Sequence, residues 1–139
     1  MQSLSSPGYS GTPLVKKLGI KAGSNVFILS APERYLYLLE PLPAGVRFLK
    51  RPTPAVNVAQ VFTTTSAELV KQLGSLRNVL NPDAVIWVSW PKKASRVATD
   101  ITEDDIRRIA LPLGLVDVKV CAVTDVWSGL KLVVRKKLR

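Results

Sequence analysis

The 139-residue sequence contains no histidine and only one cysteine, Cys121. A single cysteine excludes an intrachain disulfide. The two scarcities together remove the usual zinc ligands, every Ser-His or Cys-His nucleophile pair and the commonest general base. Acids are also few: ten Asp and Glu stand against 20 Lys and Arg, a formal net charge of +10. They form no convincing cluster for an all-carboxylate magnesium site. The excess of cations favours anionic company, meaning nucleic acid, a nucleotide or an acidic protein. No apolar run reaches the roughly 18 residues that span a bilayer, so no membrane partner is expected. The opening stretch, MQSLSSPGYSGTPL, lacks a charged segment followed by an apolar core and does not read as a secretory signal. A cytoplasmic chain is the expectation.

What is present is a substantial core. Apolar residues make up 47% of the chain, enough for one ordinary domain. Residues 1–12 read as a flexible arm rich in Ser and Gly, residues 13–135 as a single α/β domain, and residues 136–139 as a basic tail. The organising stretch is Asp83 to Ser95. Ala84 to Val88 form an apolar run suited to a strand buried on both faces. Pro91 then ends the ladder because it has no N–H to donate, and Lys92 and Lys93 follow at once. Trp87 and Trp90 sit at odd spacing and point to opposite faces.

Around that strand the chain alternates. Thr12 and Pro13 suggest a helix start, with Leu14, Val15 and Leu18 toward the core and Gly19 as the stop. Strands are expected at 25–30, 46–50 and 56–63, with a short helix over 33–40 stopped by Pro41. Thr65 and Glu68 fit a capping box, and Leu69, Leu73, Leu76 and Leu80 recur at helical spacing. A further helix begins at Asp100 with Glu103 or at Thr102 with Asp105. A terminal hairpin is expected, with strands at 115–126 and 130–135 and its turn at Trp127, Ser128 and Gly129. The order predicts a Rossmann-like, mainly parallel sheet with helices on both faces and a C-terminal antiparallel hairpin. About six residues join the second and third strands, where a parallel crossover usually takes a dozen. Either that link is a stretched coil or the pair is locally antiparallel.

From Asp83 to Arg135 the order resembles the second half of a Rossmann-like methyltransferase. The resemblance implies S-adenosylmethionine held by a glycine-rich loop after the first strand and an acid at the end of the second. Here those positions are Leu29 to Glu33, without glycine, and Leu49, Lys50 and Arg51. Gly8 to Leu14, Lys17 to Ile20, Trp87 to Lys93 and Trp127 to Lys131 also resemble a family of small bacterial proteins known as a domain of unknown function. That resemblance implies no activity.

Ligands of open parallel sheets sit beyond the carboxyl ends of the strands. The residues expected there are Ser30, Thr64, Ser89, Trp90, Lys92 and Lys93, with hydroxyls as donors, lysines as point charges for an anion and Trp90 able to stack on a ring. Ser89 to Lys92 also matches S-x-x-K, but that chemistry needs one helical turn between Ser and Lys, and its companion motifs are missing. Trp127 at the hairpin tip, with Lys131, Arg135, Lys136 and Lys137, forms a second expected surface for a partner or nucleic acid. Cys121 reads as an inert core residue. The sequence therefore suggests a non-catalytic module binding a small anionic or nucleotide-like ligand, or an acidic protein, at the Ser89 to Lys93 edge. Nucleic-acid binding and a divergent methyltransferase are the alternatives. No cofactor and no metal are assigned.

Overall fold

The computed structural model describes residues 11–139. The expected arm falls mostly outside that range. Six strands form one sheet in the order β2-β1-β3-β4-β6-β5. They are β1 (Asn25–Leu29), β2 (Arg47–Leu49), β3 (Val58–Phe62), β4 (Val85–Pro91), β5 (Leu115–Ala122) and β6 (Trp127–Val134). The first four are mutually parallel, β6 runs antiparallel to β4, and β5 antiparallel to β6. The expected class, a mainly parallel Rossmann-like sheet with a terminal hairpin, is the class observed.

The short link between the second and third strands is a stretched coil. The two strands are not neighbours: each pairs with β1, in parallel. A coil needs fewer residues than a helix to return along the sheet, because each extended residue advances about 3.3 Å. The coil is pinned to the amino end of β1. The Asn25 N–H donates to Asn57 Oδ1 at 2.7 Å, Asn25 Nδ2 donates to the Ala55 carbonyl, and the Asn57 N–H donates to the Asn25 carbonyl.

Helices cover both faces. On one, α2 (Ser66–Val79) and α3 (Glu103–Ala110) bury Leu69, Leu73, Leu76, Ile106 and Ala110 against Val61, Ile86, Val88, Trp90 and Leu132. On the other, α1 (Leu14–Lys17) and a 3-10 turn at Tyr35–Leu39 bury Leu14, Val15, Tyr35 and Leu39 against Val26, Val58, Phe62 and Trp87. The two tryptophans of β4 therefore serve opposite layers, as their spacing implies.

Local corrections follow from the caps. Pro13 is the N-cap of α1 with an extended ψ of 145° and no side-chain cap, so Thr12 does not start the helix and Leu14 is its first residue. The 33–40 segment is a single 3-10 turn, entered through Arg34 at φ 64°. Eight residues between Pro32 and Pro41 leave little length for an α-helix to nucleate. Thr65 caps α2 by accepting from the Glu68 N–H, and α3 begins with a reciprocal box between Thr102 and Asp105. Asp100 is not the α3 cap. It accepts from the Ser66 N–H at 2.7 Å and so satisfies the start of α2.

The hairpin turn also moves. β5 ends at Ala122 and β6 begins at Trp127, so the turn lies over 123–126. Thr124 Oγ1 accepts from both the Val126 and Trp127 N–H groups at 3.0 Å, which folds the turn there. Gly129 lies inside β6 for a different reason. A Cβ there would stand 2.9 Å from Val123 Cγ2 and 3.3 Å from Trp87 Cε3, so glycine lets the hairpin close over the indole. The basic tail forms a last 3-10 turn over Lys136–Leu138. It places Leu138 against Gly114.

Candidate functional site

Because β1 to β4 are parallel, their carboxyl ends share one edge of the sheet. The segments leaving that edge are 30–34 after β1, 50–51 after β2, 63–65 after β3 and 92–96 after β4. They carry Arg34, Lys50, Arg51, Lys92, Lys93 and Arg96, and Glu33 is their only acid. All six cations are exposed except Lys92, which is half-buried. Three non-glycine residues adopt positive φ among the described residues: Ser30 at 61°, Arg34 at 64° and Arg96 at 63°. All three belong to these segments. Left-handed backbone costs an L-residue about 1–2 kcal/mol, and such strain clusters at ligand sites.

The expected hydroxyl donors are less available than their positions imply. Ser89 is fully buried, and its Oγ has no hydrogen-bond partner. Thr63 Oγ1 donates to the Thr65 carbonyl, and Thr65 Oγ1 is used by the Glu68 N–H. Thr64 is half-buried, and its carbonyl accepts from the Asp100 N–H and from Thr99 Oγ1 at 2.7 Å. Ser30 is exposed at the edge. Trp90 is 8% exposed and packs with the α2 and α3 layer, which leaves no ring face for a base to stack on. The structure thus brings Ser30, Thr64, Lys92 and Lys93 to one edge and takes Ser89 and Trp90 into the two cores.

The loop after β4 is tied down at several points. The Lys92 N–H donates to the Val126 carbonyl at 2.7 Å, linking it to the hairpin turn. Ser95 Oγ donates to the Lys92 carbonyl at 2.6 Å. Further on, Thr99 and Asp100 bind the backbone of Thr64 and Ser66. The loops after β3 and β4 therefore form one hydrogen-bonded unit, with Asp100 already seated at the start of α2.

The second expected surface is divided. Trp127 opens β6 instead of standing at a tip. It is half-buried and meets Phe62 edge-on, with ring centroids 5.2 Å apart. Its partner across the ladder is Pro91, which puts it at the carboxyl edge. Arg135 lies eight residues further along an extended strand, about 26 Å away at roughly 3.3 Å per residue. Lys136 and Lys137 are exposed beside it at the opposite edge. Lys131 lies between, half-buried, opposite Lys119 in the ladder.

A buried polar pair was not foreseen. Tyr35 Oη donates to Gln60 Oε1 at 2.8 Å, and Gln60 Nε2 has no partner. Burial pushes the Tyr35 phenol well above its ordinary range, partly offset by the Gln60 bond. Gln60 pairs in register with Trp87, and Phe62 with Ser89, so all four side chains share one face of the sheet. A glutamine inside the run VNVAQVFT was the available signal. Cys121 is half-buried, and burial raises its thiol above the ordinary value, which fits an inert residue.

Charge is unevenly distributed. Arg107 pairs with Glu103, Asp104 and Asp117, and Arg108 with Asp105 at 2.5 Å. Four of the ten acids are thus held in ion pairs with two α3 arginines. Among the described residues, no three His, Cys, Asp or Glu side chains gather as metal ligands, and no helix is long and apolar enough to cross a membrane.

No family model matches the chain, and no curated protein matches it. Solved structures do. An S-adenosylmethionine-dependent methyltransferase from Aquifex aeolicus is similar with a TM-score of 0.67 at 17% identity, over 88% of each chain. The magnesium protoporphyrin IX methyltransferase of Synechocystis PCC 6803, with bound S-adenosylmethionine, reaches 0.56 at 11% identity, over 88% of this chain and 74% of that one. The tRNA methyltransferase TrmK of B. subtilis reaches 0.55 at 8%, over 88% and 64%. At such identities the likeness establishes the fold.

The S-adenosylmethionine of the first two neighbours is a poor fit to the residues present. A carboxylate at the end of β2 would accept the ribose hydroxyls, but Lys50 and Arg51 stand there and can only donate. The β1 loop contains no glycine that would let its backbone approach a ligand closely. The sulfonium centre of S-adenosylmethionine would also meet an edge that is already cationic.

Proposed function

We propose that the chain is a non-catalytic Rossmann-like module that binds a small anionic or nucleotide-like ligand at the carboxyl edge of β1 to β4. The observation that carries this reading is the set of six cations in the segments leaving that edge, against Glu33 there and Asp100 further along the β4 loop, the latter already bound to the Ser66 N–H. Lys92 and Lys93 supply point charges, and the guanidinium groups of Arg34 and Arg96 offer planar forks for phosphate oxygens. Positive φ at Ser30, Arg34 and Arg96 fits loops shaped for a ligand instead of for local comfort. An acidic protein segment would use the same charges.

The test is isothermal titration with ATP, inorganic triphosphate and S-adenosylmethionine at low salt. ATP or triphosphate should bind, with affinity falling as salt rises, and the K92A/K93A double variant should weaken binding at least tenfold. Unchanged affinity in that variant would remove the site.

A second reading, a divergent S-adenosylmethionine-dependent methyltransferase, draws on the fold shared with the neighbours above. It requires S-adenosylmethionine to protect the amides of Ser30 to Glu33 from hydrogen exchange. Protection there, without triphosphate binding, would favour it over the first.

A further inference from the structure

A second concavity lies away from the strand-end edge. A cavity of about 370 Å³ opens between α1, the turn that follows it and the segment 41–43. Val15, Ile20, Pro41 and Pro43 form apolar walls, and Lys16 and Lys21 stand at the rim. The walls are rigid for local reasons. Two prolines have fixed φ, and the Ile20 N–H closes back on the Val15 carbonyl at 3.1 Å. The Gly23 N–H donates to the Ala44 carbonyl, and the Arg47 N–H to the Ser24 carbonyl. These bonds attach the walls to the amino ends of β1 and β2, opposite the proposed anion edge.

The volume falls within the range of small-molecule sites, about 300–1,000 Å³. The electrostatics select the head group. Residues 11–32 include three lysines and no acid, and among the described residues neither Lys16 nor Lys21 has an ion-pair partner. The nearest acid in sequence to the 41–43 wall is Glu40, exposed next to Pro41. An apolar body fits the proline and aliphatic walls, and an anionic head then reaches the lysines at the rim. Long lysine stems can lie along such a body while their charge stays in water.

We infer that this cavity binds a small amphipathic carboxylate, an aliphatic chain with one terminal carboxyl group. The inference does not depend on the proposed function, because it involves neither the strand-end cations nor their ligand.

The experiment is an NMR titration of the full chain with decanoate, decanol and decyltrimethylammonium, each below its aggregation limit. Decanoate should shift the backbone amides of Val15 to Lys21 and Ala44 saturably and bind at least tenfold more tightly than decyltrimethylammonium or decanol. The K16E/K21E variant changes only exposed side chains, so its spectrum should stay folded. It should lose the preference for decanoate, with at least tenfold weaker binding. Three results would each overturn the inference: equal affinity for the three probes, shifts at Ser30 to Arg34 and Lys92 to Arg96 instead, or unchanged binding in K16E/K21E.

Discussion

Replacing Ser89 with alanine should make the protein more stable, although Ser89 lies on the central strand beside the proposed site. Ser89 is fully buried, in register with Phe62 on one side and Gly129 on the other. Its carbonyl is satisfied by the Thr63 N–H at 3.1 Å, so only the hydroxyl lacks a partner. A buried polar group without a partner costs about 1–3 kcal/mol. Removing the oxygen leaves a void on the order of 10–15 Å³, which costs roughly 0.3 kcal/mol at about 24 cal/mol per Å³. The net gain is about 1 kcal/mol or somewhat more, equivalent to a rise in Tm of about 3–5 °C for a chain of this length. Urea unfolding followed by tryptophan fluorescence reads it directly, since Trp87 and Trp90 flank the position. A loss of about 1 kcal/mol or more would refute the reasoning. It would mean that the hydroxyl has a real partner, such as a buried water shared with Gln60 Nε2. S89A should also leave the affinity for triphosphate unchanged, because a hydroxyl inside the core touches no ligand at the edge.

Further outcomes follow from the other buried and charged groups. Tyr35→Phe removes the donor to Gln60 Oε1 and leaves that amide without any partner, so it should cost roughly 1–3 kcal/mol. Adding Gln60→Leu should recover most of that loss, and a thermodynamic cycle on the four proteins reads the difference. Asp105 accepts from Arg108 and from the Thr102 backbone and hydroxyl, and the Arg108 bond chiefly holds its carboxyl below the ordinary range. A depressed carboxyl stabilises the fold fully above its unfolded pKa of about 3.9. The contribution disappears as the pH falls through the lower, folded value. The urea midpoint should therefore fall as the pH is lowered below about 4, and D105N should flatten that part of the profile. An identical profile in D105N would assign the acid sensitivity elsewhere.

The sheet was legible because its strands obey simple physics. β4 is buried on both faces and is entered by the apolar run Ala84 to Val88, and α2 is announced by leucines at helical spacing after a threonine cap. The misreadings share a cause. In the sequence Gly129 reads as a turn residue, whereas its lack of a side chain makes room for Trp87, a residue 42 positions earlier; composition carries no trace of such an approach. The turn itself depends on Thr124, whose single hydroxyl closes two backbone bonds. At the site, the loops were placed by topology, so Lys92 and Lys93 were found where expected. Side-chain commitments were not readable in the same way. Whether a threonine hydroxyl faces a ligand or closes its own loop depends on the neighbouring backbone: Thr63 and Thr65 bond to nearby backbone, and Ser89 lies in the core.

The hydrogen bond from Trp87 Nε1 to the Leu18 carbonyl, 3.0 Å long, joins residues 69 positions apart. Its consequence lies in the order of events during synthesis. α1 has only four residues, too few to persist as an isolated helix. It must therefore wait for the indole that anchors it. At roughly 5–20 residues per second, about 3 to 14 s pass between the ribosome's addition of Leu18 and of Trp87. During that interval α1 lacks the indole that anchors it, and Leu14, Val15, Leu18 and Ile20 form an apolar segment available to chaperones. An element made early is thus completed only when a strand 69 residues later arrives.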